Sequence, residues 1–98
     1  MSDGDAIVIR HKPDMTRYEV LVEGTLAGFA AYRLVDDRVV FTHTEVDVAY
    51  EGRGLGSRLV GEALDDVRRQ GRSAVPLCSF VASYISRHAE YADLVRHP

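Results

Sequence analysis

The segment Glu51-Gly52-Arg53-Gly54-Leu55-Gly56-Ser57-Arg58 has the residue types of an anion site. Three glycines stand at alternate positions between an apolar, strand-like run and a segment with helical spacing (Leu59, Val60, Ala63, Leu64, Val67). The first N–H groups of a helix have no intrahelical acceptor, and the helix dipole favours negative charge at that end. Glycine removes the Cβ atoms that would hold a phosphate away from those groups. The alternative for a glycine cluster taken alone is ordinary turn chemistry. Spacing excludes two common phosphate loops. A Walker loop needs a lysine after its last glycine, and the only lysine here is Lys12. The dinucleotide fingerprint Gly-x-Gly-x-x-Gly has a different rhythm and opens a βαβ unit.

Four other residues could do chemistry. Cys78, the only cysteine, follows a short apolar run and precedes a helical one, a position where a thiol pKa is commonly lowered. It reads either as a nucleophile or as a small apolar wall residue. His43 and Glu45 are two positions apart on a strand and therefore share a face. They read either as a base with its orienting partner, Glu45 being the base, or as part of a solvated sheet face. A bulge in the strand would break that argument. Tyr84 is a candidate proton donor or a packing residue, and His88 lies one helical turn beyond it.

The elements that would position these residues follow from periodicity. Residues 1–5 read as a frayed tail. Ile7–Ile9 is a short strand closed by Lys12-Pro13-Asp14, and residues 17–23 alternate polar and apolar. Glu23-Gly24 turns into Thr25–Val35, and Asp36-Asp37 turns into Val39–Val48. Four strands in this order suit an antiparallel meander. A helix runs from about Gly54 to Arg69 and stops at Gln70-Gly71. Ala74–Cys78 is a fifth strand, parallel to the fourth because a helix intervenes. Pro76 suits an edge or splayed strand, since it cannot donate to a ladder. Phe80–Arg87 and Tyr91–Val95 read as a second and a third helix. The fold class is α+β, in a single domain spanning residues 1–98.

Val46 to Val60 resembles the acetyl-CoA-binding segment of the GNAT N-acetyltransferases, whose signature is Gln/Arg-x-x-Gly-x-Gly/Ala opening a helix after a strand. Gly54 and Gly56 fall on the two small positions and Arg53 on the basic one, while Glu51 departs from the pattern. His43-Thr44-Glu45-Val46 before the loop, with Cys78, Phe80, Tyr84, His88, Glu90 and Tyr91 after it, looks like the small YjdJ-type subgroup. The resemblance implies a minimal GNAT-like fold and transfer of acetyl from acetyl-CoA to an amine. The alternative is an acyl-CoA-binding module without turnover. It also implies that the fourth and fifth strands diverge around the pantetheine arm, which would pair with backbone near Val46, Asp47 and Val48. The pyrophosphate would meet Arg53, Gly54, Leu55, Gly56 and Ser57, and Arg58 could reach a CoA phosphate. By the same resemblance Cys78, Glu45, His43 and Tyr84 are the catalytic candidates. Tyr84 falls two positions from the family's usual tyrosine, which aligns with Ser86. The helices that the family carries between its first two strands are missing, so the acceptor side would be open, to a macromolecule or to a second copy of the chain.

Composition narrows the partners. The chain has 98 residues, 46% hydrophobic and 28% charged, which is ordinary for a soluble domain near the lower size limit for an unaided core. Its net charge of −3 argues against a nucleic-acid partner, which needs a basic surface. A lone cysteine excludes an internal disulfide, no cluster has metal-binding spacing, and no apolar run reaches membrane-spanning length. The expectation is a cytoplasmic monomer or homodimer that takes acyl-CoA and an amine acceptor, small molecule or protein, with no metal and no membrane association.

Overall fold

The computed structural model describes residues 6–97; the expected tail falls outside them. Five strands form one sheet in sequence order: β1 (Ile7–Lys12), β2 (Arg17–Val22), β3 (Thr25–Val35), β4 (Arg38–Val46) and β5 (Ser73–Pro76). The first four make an antiparallel meander, and β5 lies parallel to β4 after the helix α1 (Leu55–Arg69). Helix α2 (Ser79–Arg87) follows. The expected third helix is instead a 3-10 segment, Ala89–Leu94. It turns too tightly for regular helix and lays Tyr91 and Leu94 into the core. Between β1 and β2 there is only a 3-10 turn, Pro13–Met15, so no helix stands there.

Helices α1 and α2 and the segment Ala89–Leu94 pack on one side of the sheet. Leu59, Val60, Ala63, Leu64 and Val67 of α1, spaced along a single stripe, are fully buried against Tyr18, Val20, Tyr32, Val39, Phe41 and Ala74. Val81 and Ile85 of α2 and Tyr91 and Leu94 join the same cluster. Two tyrosines tie α1 in place through their hydroxyls. Tyr18 donates to Asp66 at 2.7 Å and Tyr91 to Asp65 at 2.7 Å. Among the described residues no element covers the opposite face of the sheet.

Two features of β4 decide what surrounds the glycine loop. The first is a bulge at Thr42, because Phe41 pairs with Tyr32 while His43 pairs with Ala31. Without this extra residue His43 and Glu45 would point into the core with Val39 and Phe41. With it, they turn to the uncovered face, and Thr44 and Val46 turn to the helix side. The second is the length mismatch between β4 and β5. Their ladder runs from the Arg38–Ser73 pair to the Phe41–Pro76 pair and stops, while β4 continues to Val46. Pro76 sits where the pairing ends. One further bond, from the Cys78 N–H to the Phe41 carbonyl at 3.0 Å, closes the junction, and beyond it the strands part.

The expected fourth strand was longer at its C-terminal end. Val48 to Tyr50 form a 3-10 turn capped by the Asp47 side chain, which accepts from the Ala49 N–H at 2.9 Å. The cap draws Asp47 into turn geometry, so Val48 stands outside β4. Among the described residues no helix is long and apolar enough to cross a membrane, and no group of three or more His, Cys, Asp or Glu is placed to hold a metal ion.

Candidate active site

A cleft of about 400 Å³ lies where β4 and β5 part, beside the start of α1. Thr44 and Val46 of β4 form one wall. Tyr50, Glu51, Gly52, Gly54, Leu55, Gly56 and Ser57 form the loop and helix end, and Phe80 of α2 closes the third side. The glycines have separate reasons. Gly52 and Gly54 have φ of 84° and 74°, the left-handed region that a side chain resists. Gly54 is the residue from which α1 starts, and its carbonyl accepts from the Arg58 N–H at 3.1 Å. Gly56 has ordinary helical geometry, but a Cβ there would come within 2.6 Å of the Phe80 ring. The tip of the Phe80 ring therefore abuts the first turn of α1, and a side chain at position 56 would have to displace it.

Gly54, Leu55, Gly56 and Ser57 line the cleft together with Val46. Asp47, Val48, Arg53 and Arg58 do not line its wall. The Asp47 N–H is engaged by the Ala27 carbonyl at 2.7 Å, and Val48 is 77% exposed. The Arg53 guanidinium lies 5.4 Å from the centre of the Tyr50 ring, and Arg58 faces Glu62 at 3.5 Å along the helix. Glu51, the residue that departs from the family signature, does line the cleft.

Cys78 is the residue from which α2 starts. Its thiol lies 3.4 Å from the Thr44 hydroxyl, across the point where the strands diverge. Burial works to raise the thiol pKa, but the Thr44 hydroxyl and the N–H groups of Val81 and Phe80 at the start of α2 outweigh it. The net shift is downward. The sequence alone assigns Thr44 no role, because its value depends on a cysteine 34 positions later. Tyr50 and Phe80 likewise gain meaning only from packing.

The other candidates lie elsewhere. His43 and Glu45 do share a face and hydrogen-bond to each other at 3.1 Å, about 60% exposed, on the uncovered side of β4. Tyr84 is buried on the helix side. A Cβ at Gly61 would meet its hydroxyl at 2.6 Å, and its ring stacks on His88 with centres 3.9 Å apart. Burial, with Glu90 and Asp65 nearby, raises the Tyr84 pKa. Tyr84 does not line the cleft.

Across this cleft the start of α1 faces the stretch of β4 that runs on past the end of its ladder with β5. Residues 17–94 match the GCN5-related N-acetyltransferase family, and the chain belongs to that family. It is similar to the protein NATD1 of Mus musculus and of Homo sapiens, 29% identical to each over 90 residues. The matches cover 90% of this chain and 82% and 80% of theirs. Among solved structures, a GCN5-like protein from Staphylococcus aureus has the same fold, with a TM-score of 0.70 at 20% identity over 93% of this chain and 89% of that one. The ribosomal-protein-S18-alanine N-acetyltransferase of Escherichia coli aligns with a TM-score of 0.56 at 26% identity. That alignment covers 58% of this chain and only 37% of the enzyme.

Proposed function

We propose that this chain transfers the acetyl group of acetyl-CoA to an amine. The observation that carries the reading is the open β4 edge, running past the Phe41–Pro76 pair to Val46, beside the glycine-opened start of α1. Amides of a pantetheine arm would add to that edge as an extra strand does. The pyrophosphate would meet the N–H groups of Leu55, Gly56 and Ser57. The thioester would then come to the junction of Thr44 and Cys78. Arg53 and Arg58 would act at longer range on the CoA phosphates.

In the reaction the amine lone pair attacks the thioester carbonyl carbon, the C–S bond breaks, and CoA leaves as a thiolate that takes up a proton. Holding the amine against the carbonyl supplies much of the acceleration. The attacking amine must lose a proton, and Glu45, paired with His43, is the base offered on the uncovered face. Cys78 gives the route a second form. Its thiolate would attack the thioester first and release CoA, and the amine would then take the acetyl group from the Cys78 thioester. The Thr44 contact and the lowered thiol pKa favour that form, which would also suit the small cysteine-bearing subgroup.

A second reading, acyl-CoA binding without turnover, is favoured by Glu51 in the cleft wall and by the burial of Tyr84 away from it. Intact mass spectrometry after incubation with acetyl-CoA, with Cys78→Ala as control, and thiol release against a panel of amines separate these readings. Thermal stabilisation by acetyl-CoA without thiol release supports the binding module. The absence of any stabilisation by CoA or its thioesters rejects both.

A further inference from the structure

The face of the sheet turned away from the helices has a charge opposite to that of the chain. Strand pairing brings Arg10, Lys12, Arg17, Arg33 and Arg38 to it, against the carboxylates of Glu19 and Glu45. The whole chain carries −3, so this face is a basic surface on an acidic protein. Arg10 and Arg17 are both committed to Glu19, which they bury between them. Arg33 and Arg38 meet no carboxylate among the described residues; Arg38 reaches only the His97 carbonyl, at 3.4 Å.

These two arginines flank an apolar groove of about 170 Å³. Val40 and Val75 form its floor, and Val35 and Leu77, 44% and 52% exposed, form its sides. None of the four belongs to the main core. Exposed Val35 and Leu77 over a buried valine floor, between arginines that meet no carboxylate among the described residues, are the makings of an interface, since scattered surface hydrophobes do not ordinarily line one groove.

We propose that this groove docks a protein partner, through a segment that carries carboxylates beside aliphatic side chains. The volume is below the roughly 300 Å³ at which small-molecule pockets begin, but it suits one or two aliphatic side chains of a longer segment. A nucleic acid would use the arginines and leave the apolar floor unfilled. A second copy packed about a two-fold axis through the groove would set Arg33 and Arg38 against the same arginines, which repel. An acidic, aliphatic segment satisfies both parts of the surface. Leu77 adjoins Cys78, so a partner held here lies one residue from the junction of β4 and β5. The inference does not depend on acetyl transfer.

The test replaces Val35 by photoreactive benzoylphenylalanine in the full chain, irradiates it in its own cells, and sequences the adduct. The expected product is a peptide of another protein in which Asp or Glu flank aliphatic residues. That protein, purified, should bind the unmodified chain more weakly as salt rises. Its affinity for Arg33→Glu/Arg38→Glu should fall at least about tenfold. Exchanging the partner's carboxylates for lysine should restore binding to the double variant. Adducts to a second copy or to nucleic acid, no adduct at all, or binding indifferent to charge reversal would each overturn the proposal. Stabilisation of the double variant by acetyl-CoA, read in parallel, reports on the cleft separately.

Discussion

The thiol of Cys78 and the hydroxyl of Thr44 meet at 3.4 Å across the point where β4 and β5 part. The hydroxyl can turn to donate once the thiol loses its proton, so the pair stabilises the thiolate more than the thiol. Replacing Thr44→Val keeps the shape and removes the donor. The pKa of Cys78 should then rise toward the ordinary thiol value. Alkylation rates followed against pH should shift to higher pH, with the rate at pH 7 reduced. An unchanged profile would leave the shift to the backbone N–H groups of Val81, Phe80 and Thr44.

Gly54 and Gly56 should fail in different ways. Gly54→Ala forces a side chain into the left-handed region, at a cost of about 1 kcal/mol in stability. Gly56→Ala drives the Phe80 ring from its seat and into the cleft. It should weaken acetyl-CoA binding more than it lowers the melting temperature. Calorimetric binding set beside thermal melts of both variants distinguishes the two effects.

Glu19 is 2% exposed, on a face that no element covers, and Arg10 and Arg17 shield it. Burial works to raise its pKa, but the hydrogen bonds from the two arginines prevail and lower it below the 4.5 of a free glutamate. A depressed carboxylate stabilises the fold above the unfolded pKa and loses that contribution as pH falls through the folded value. Stability should therefore decline below about pH 4.5, and Glu19→Gln should flatten the decline. The same change should cost about 2 kcal/mol at neutral pH, since a buried amide has one acceptor oxygen for two arginines and turns an N–H toward them. Urea melts from pH 3 to 7 would measure both.

Tyr84 offers a sharp test of its own. Its hydroxyl rests against Gly61, under α1. Tyr84→Phe should keep acetyl-CoA binding and thiol release within about twofold of the unmodified chain, and its stability within about 1 kcal/mol. A loss of turnover tenfold or greater, with binding intact, would return the hydroxyl to the chemistry.

The meander, the parallel fifth strand and the start of α1 were legible in the sequence. The Tyr18, Val20 and Val22 face of β2, the Asp36-Asp37 turn and the stripe from Leu59 to Val67 are local patterns, and local patterns survive folding. Pro76, which suits an edge or splayed strand, stands in β5 at the edge of the sheet, at the last pair of the ladder with β4. The Thr42 bulge left no mark, since threonine suits a regular strand equally well and the irregularity exists only in its pairing with Ala31 and Tyr32. The third helix, expected over Tyr91–Val95, forms as a 3-10 helix over Ala89–Leu94, because tertiary contacts of Tyr91 and Leu94 tighten a segment too short to hold regular α-helix unaided. Thr44 and Phe80 acquire their roles from partners far along the chain, which periodicity cannot report.

Thr42 does not line the cleft, and among the described residues its hydroxyl reaches the Ala31 carbonyl alone, at 3.4 Å. Its importance is arithmetic. What matters is the number of residues between Phe41 and Thr44, because that number sets the parity of everything downstream on the strand. Thr42 exchanged for serine or valine should pass unnoticed, whereas its removal would turn β4 inside out from His43 onward, burying a histidine and a glutamate and sending Thr44 to solvent. At this position the chain tolerates spelling errors but not a missing letter.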